Sequence, residues 1–107
     1  MASDQEYLRF ILEQLSEADE ITYRPMMGEY LLYYRGRLFG GIYDNRFLVK
    51  PVSSALAMME EAEYETPYEG AGKMLLVKEV DDPLFLKKLL EAMYAELPEP
   101  KKKKRKS

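Results

Sequence analysis

Residues 29–50 decide the fold. They read Glu29-Tyr-Leu-Leu-Tyr-Tyr34, Arg35-Gly36, Arg37-Leu-Phe-Gly-Gly-Ile-Tyr43, Asp44-Asn45 and Arg46-Phe-Leu-Val-Lys50. Three runs of aromatic and aliphatic residues are separated by two turn-like dipeptides, Arg35-Gly36 and Asp44-Asn45, the second of residues that tolerate positive φ. That spacing predicts a three-stranded antiparallel meander with two tight hairpin turns. Pro51 closes it, because proline lacks the N–H a ladder needs. Two-residue turns set the register. Tyr34 falls opposite Arg37, Leu32 opposite Phe39 and Tyr30 opposite Gly41; Tyr43 then faces Arg46, and Gly41 faces Leu48. Strict alternation places Leu31, Tyr33, Leu38, Ile42, Phe47 and Val49 on one nearly apolar face, the expected core. Tyr30, Leu32, Tyr34, Phe39, Tyr43 and Leu48 share the other face, fringed by Arg37, Arg46 and Lys50. Gly40 and Gly41 give a neighbouring backbone or Tyr ring room to approach closely.

Upstream of the meander, Ser3 and Glu6 have capping-box spacing, and Leu8, Ile11, Leu12 and Leu15 recur at helical period, which predicts a helix from Asp4 to about Glu17. Ile21-Thr22-Tyr23 reads as a short strand, with Pro25 ending it or lying at a sheet edge. Downstream, Ser53 or Ser54 caps a helix from Ala55 to about Ala62 whose inward candidates are Leu56, Met58 and Met59. Residues 63–72, with Pro67, Gly70 and Gly72, read as a loop with room for one more short strand. Met74-Leu75-Leu76-Val77 is a buried strand. Asp82 caps a last helix with Pro83 at its first position, and Leu86, Leu89, Leu90, Met93 and Leu97 supply its apolar stripe. The order α-β-β-β-β-α-β-α predicts a two-layer α+β sandwich with a mainly antiparallel sheet and three helices. The domain spans residues 1–98, and a basic disordered tail occupies 99–107.

Composition removes much chemistry. The 107 residues include neither His nor Cys, so thiol nucleophiles, disulfides, imidazole bases and the usual zinc sites are excluded. The acidic pairs Glu60-Glu61 and Asp81-Asp82 suit caps and solvated faces better than catalysis, since adjacent helical residues point about 100° apart. Arg24 and Glu29 flank the Met26-Met27-Gly28 bend and read as a structural pair. No phosphate-binding glycine pattern occurs. The expectation is therefore no enzyme, no cofactor and no metal.

Charge is unevenly distributed. The chain carries 16 Lys+Arg and 19 Asp+Glu, net −3, but Lys101, Lys102, Lys103, Lys104, Arg105 and Lys106 are six of those cations. The rest holds 10 basic and 19 acidic side chains, net −9. The basic run resembles both a nuclear-localisation segment and a polyanion-binding arm; non-specific nucleic-acid contact and a solvated end are its two readings. A polar acidic N-terminus and the lack of a long apolar run point to a cytoplasmic protein with no membrane span.

The second meander face is too aromatic for bare solvent and too basic for an ordinary core. Cover by another segment, a homodimer interface and a stacking platform for single-stranded nucleic acid all fit it. In the last case Arg37, Arg46 and Lys50 join the tail in binding nucleic acid.

Several stretches together resemble the N-terminal domain of the TfoX/Sxy family. They are Tyr23-Arg24-Pro25-Met26-Met27-Gly28-Glu29-Tyr30, Tyr33-Tyr34-Arg35-Gly36-Arg37-Leu38-Phe39, Phe47-Leu48-Val49-Lys50-Pro51, Pro67-Tyr68-Glu69-Gly70-Ala71, and the opening Glu6-Tyr7-Leu8 with Leu12 and Leu15. The resemblance covers about residues 3–98. It implies a small α+β domain of secretion-chaperone-like type. It also implies a role like that of the competence regulators, which act on transcription with a cyclic-AMP receptor-type factor. Those regulators usually carry a second, C-terminal domain, where this chain has its Lys-rich tail. The family supplies no catalytic residues to carry over. The expectation is a regulatory domain working through protein contacts, with a transcription factor as partner and homodimerisation open. The alternative is a small nucleic-acid-binding protein.

Overall fold

The computed structural model describes residues 4–59 and 61–98. Helix α1 (Gln5–Gln14) leads into β1 (Ile21–Met26), β2 (Glu29–Tyr34), β3 (Arg37–Tyr43) and β4 (Arg46–Val49); α2 (Ser53–Met58), β5 (Tyr64–Glu65), β6 (Met74–Leu76) and α3 (Pro83–Met93) follow, and a 3-10 turn (Tyr94–Glu96) ends the chain of elements. The strands form one antiparallel sheet of order β1-β2-β3-β4-β6-β5. This is the expected α+β order, and the loop after α2 does hold a further short strand.

The turns are as local as the sequence suggests. Arg35-Gly36 and Asp44-Asn45 both have positive φ at the two central positions, the requirement of a type I′ hairpin turn. A third such turn, Met27-Gly28 (φ 53° and 85°), joins β1 to β2 at the expected Met26-Met27-Gly28 bend. Pro25 lies within β1, the outermost strand, where a missing N–H costs least.

The helices cover one face. Leu8, Ile11 and Leu15 from the α1 side, Ala55 and Met59 from the α2 side, and Leu86, Leu89, Leu90 and Met93 of α3 join Leu32, Tyr34, Phe39, Ile42, Phe47, Val49 and Leu75 in one buried cluster. The expected faces were therefore half exchanged. Ile42, Phe47 and Val49 are core, but Leu31, Tyr33 and Leu38 lie on the opposite face. Leu32, Tyr34 and Phe39, assigned to the other face, are core instead. A β-bulge is the cause. Leu32 pairs with Gly40 and Tyr33 with Leu38, leaving Phe39 as the extra residue, so Tyr30 pairs with Ile42 rather than Gly41. A one-residue slip exchanges the faces of everything beyond it on one strand relative to its neighbour. Beyond the bulge the expected pairs Tyr43–Arg46 and Gly41–Leu48 hold.

The helix ends use partners remote in sequence. Asp4, not Ser3, is the N-cap of α1; Ser3 lies outside the described residues. The Asp4 N–H donates to Asn45 Oδ1 at 2.9 Å, tying α1 to the β3–β4 turn. Helix α2 begins at Ser53, two residues earlier than the expected Ala55, and Leu56 points outward while Ala55 and Met59 are buried. Glu96 serves its first turn: the Ser54 N–H donates to Oε1 at 2.9 Å, the Ser54 hydroxyl to the same oxygen at 2.8 Å, and the Ser53 hydroxyl to Oε2. Asp82 caps α3 as expected, accepting from the Phe85 N–H at 3.2 Å behind Pro83.

Candidate functional site

The sheet face turned away from the helices is only partly covered. Alternation about the bulge places Met26, Leu31, Tyr33, Leu38, Tyr43, Leu48 and Met74 there. Tyr43 and Leu48 are buried, yet neither belongs to the main core cluster. The segment 66–73 covers Tyr43: Pro67 is buried and the Tyr68 ring lies 6.1 Å from that of Tyr43. Burial, with smaller contributions from neighbouring Tyr68, Glu29 and Tyr33, raises the pKa of the Tyr43 hydroxyl above its ordinary value, so this phenol stays neutral.

Arg46 holds the cover in place. Its Nη1 meets Glu65 Oε1 at 2.6 Å, Nη2 donates to the Thr66 and Pro67 carbonyls at 3.2 and 3.4 Å, and Nε donates to the Tyr43 carbonyl at 3.1 Å. A planar guanidinium with five donors suits such a junction; a lysine does not. Between the segment and the sheet runs a groove of about 360 Å³, floored by Met26, Leu31, Leu38 and Met74 and flanked by Tyr68, Lys50 and Lys73. At the hairpin next to Met26, Met27 is 96% exposed.

A second aromatic and cationic cluster sits where β2 and β3 meet the end of α3. Arg37 stacks on Tyr94, with its guanidinium carbon 4.3 Å from the ring centroid, and its Nη1 donates to the Tyr94 and Leu97 carbonyls at 3.1 and 3.3 Å. It thereby satisfies carbonyls left free at a helix C-terminus and places positive charge there. Arg35 lies 5.2 Å from the Tyr34 ring and 5.7 Å from that of Tyr94, and pairs with Asp19 at 3.2 Å.

The expected site residues are thus dispersed. Of the six proposed for a partner face, Leu32, Tyr34 and Phe39 are in the helix-side core, Tyr30 packs against that core, and only Tyr43 and Leu48 belong to the outer face, both buried there. Of the expected nucleic-acid contacts, Arg37 and Arg46 are turned into hydrogen bonds within the domain, Arg37 through Nη1, while Lys50 flanks the groove. Lys101, Lys102, Lys103, Lys104, Arg105 and Lys106 lie outside the described residues, as does Glu60. Glu29, expected opposite Arg24, accepts the Asp44 N–H at 3.0 Å. The groove residues Tyr68, Lys73 and Met74 were not singled out from sequence. The Met27-Gly28 turn was legible in principle, since a residue followed by Gly between two strand-like runs is the signal that located Arg35-Gly36.

The fold and this surface define a small α+β domain with a single helix-covered sheet, whose opposite face is partly open. Residues 13–99 match the model of the TfoX N-terminal domain, and the chain belongs to that family. It is also 34% identical, over 109 aligned positions spanning all of this chain and 94% of the other, to an uncharacterized 12.7 kDa protein in the trpE 5′ region of Spirochaeta aurantia. No solved structure matches the chain. No helix among the described residues is long and apolar enough to cross a membrane.

Proposed function

We propose that this chain is a non-enzymatic, cytoplasmic regulatory domain that works by binding a protein, with a transcription factor as the partner class. Family membership supports a TfoX-like regulatory domain. The observation that carries protein contact is the outer sheet face: half-buried Leu31, Tyr33, Leu38 and Met74 beside a fully projecting Met27. A monomeric domain has little reason to keep contiguous apolar surface of this kind away from its core. The test is crosslinking of the full chain in its own cells, with transcript profiling of a strain lacking it. An altered transcript profile with a transcription factor crosslinked to the chain supports the reading. An unchanged profile with no crosslinked protein overturns it.

A second reading rests on the six-cation run at 101–106. With Arg37 and Arg46 occupied internally, nucleic-acid binding falls to the tail and Lys50. Six phosphate contacts give a dependence of log affinity on log salt of roughly −5. A salt-insensitive affinity for duplex DNA, or one unchanged by removing residues 99–107, defeats this alternative.

A further inference from the structure

We infer that the outer-face groove is a docking site for an acidic, apolar segment of a protein partner, with Met27 as a projecting anchor beside it. The inference rests on the protein-binding reading above and specifies its surface and its ligand chemistry.

Three observations carry it. The groove floor is apolar, formed by Met26, Leu31, Leu38 and Met74. The charged residues lining it are Lys50 and Lys73, with no carboxylate among the lining residues, although residues 1–100 have a net charge of −9. Neither ammonium is in an ion pair with a described residue, whereas Lys78 and Lys87 are each paired with a glutamate. Two cations with no ion-pair partner among the described residues, flanking an apolar trough in an otherwise acidic domain, are complementary to alternating carboxylates and large apolar side chains.

Met27 is the independent observation. It occupies the left-handed region (φ 53°) and is 96% exposed. Asn, Asp or Gly fits this turn position with less strain, and a polar residue fits its exposure better. A flexible thioether side chain held in a strained turn and offered to solvent gives the fold nothing. It suits an adaptable contact with a partner. A second copy of the chain is a poorer occupant. A two-fold contact through this face brings Lys50 and Lys73 near their own copies, and like charges oppose it.

The probe is a fluorescein-labelled twelve-residue peptide of alternating Glu and Leu or Phe, read by fluorescence polarisation against the full chain. Controls are the same peptide with Lys for Glu and with Ser for Leu and Phe. The acidic, apolar peptide is expected to bind, and both controls to bind at least about tenfold more weakly. Lys50→Glu with Lys73→Glu is expected to cost about tenfold or more, and Met27→Ser roughly three- to tenfold. Arg9→Glu with Lys88→Glu, the same charge change away from the groove, leaves affinity within about twofold. Circular dichroism and melting confirm that each variant folds. Equal binding of the Lys peptide, indifference to the groove pair, competition by a single-stranded oligonucleotide, or self-association abolished by the groove pair each overturns the inference. Repeating the in-cell crosslinking with the groove pair separates the two levels. Crosslinks retained by the variant discard the groove and keep the protein-binding reading. A wild type that crosslinks to nothing discards both.

Discussion

Arg46 Nη1 lies 2.6 Å from Glu65 Oε1, joining the end of the β3–β4 turn to a strand 19 positions later. Both side chains are about 30% exposed (28% and 31%), so the pair is shielded from bulk water without being sealed from it. Through its other donors the same guanidinium holds the carbonyls of Thr66 and Pro67, which begin the segment covering Tyr43. One side chain thus ties the start of this segment to the sheet, beside the buried Pro67 and the Tyr68–Tyr43 ring contact.

Arg46→Ala should release that cover. Charge-assisted hydrogen bonds of this kind contribute about 1.5–3 kcal/mol, and a destabilisation in that range is expected in urea titrations. Amide exchange should accelerate across residues 66–73 more than in α3. Uniform acceleration would mean that Arg46 serves the whole fold rather than the segment. Arg46→Lys should recover only part of the loss, because an ammonium cannot reach four acceptors in one plane.

Adjacent residues test the bulge. Leu32 is fully buried in the main cluster, and Leu31 is half-exposed on the opposite face. Leu32→Ala should cost about 2–5 kcal/mol, and Leu31→Ala less than about 1 kcal/mol. The reverse order in denaturant midpoints would restore the unbulged register.

Gly40 has no room for a side chain, since a Cβ there would overlap the Leu48 carbonyl oxygen and approach Val49 Cα to 2.8 Å. The obstacle is backbone in the neighbouring strand, so relief requires the sheet to part. Gly40→Ala should cost about 1–3 kcal/mol, measured by thermal melting. Gly72→Ala has nothing within 4 Å of the added carbon and serves as the control.

Glu96 should make stability pH-dependent. The Ser53 hydroxyl, then the Ser54 N–H and hydroxyl, hold its carboxylate below the ordinary value of 4.5. A folded-state pKa lowered in this way gives stability that is fully present above the unfolded value. It is lost as pH falls through the folded one. Wild type should therefore melt higher than Glu96→Gln above pH 5, and the gap should close on acidification below 4.5. A gap independent of pH between 7 and 3 would show that hydrogen bonding alone, without charge, caps α2.

Met27→Asn should raise stability by about 1 kcal/mol, because Asn-Gly is the favoured type I′ pair and tolerates positive φ. The same substitution should weaken peptide binding. A variant that gains stability and keeps affinity would show that Met27 takes no part in contact.

What sequence alone determined was whatever local rules govern. Gly36, and the Asp44-Asn45 pair that tolerates positive φ, placed the two hairpin turns between strand-like runs. Asp82-Pro83 started α3, and the spacing of Leu86, Leu89, Leu90 and Met93 gave its buried stripe. Each of these depends on neighbours within a turn or two, and the composition that removes imidazole and thiol chemistry depends on no conformation at all. The tertiary structure decided which side of each strand is inside. Alternation is a relative rule, and the single unpaired Phe39 reverses it between β2 and the far half of β3. Phe39 can be extra only because the helix-side cavity accepts it beside Phe47, at 6.3 Å between ring centroids. Tertiary structure likewise chose Glu96, 42 residues away from Ser54, as the cap of α2. It turned Arg37 and Arg46 inward, and it left Lys50 and Lys73 beside an open groove. These choices depend on distances between segments remote in the chain, which no local pattern encodes.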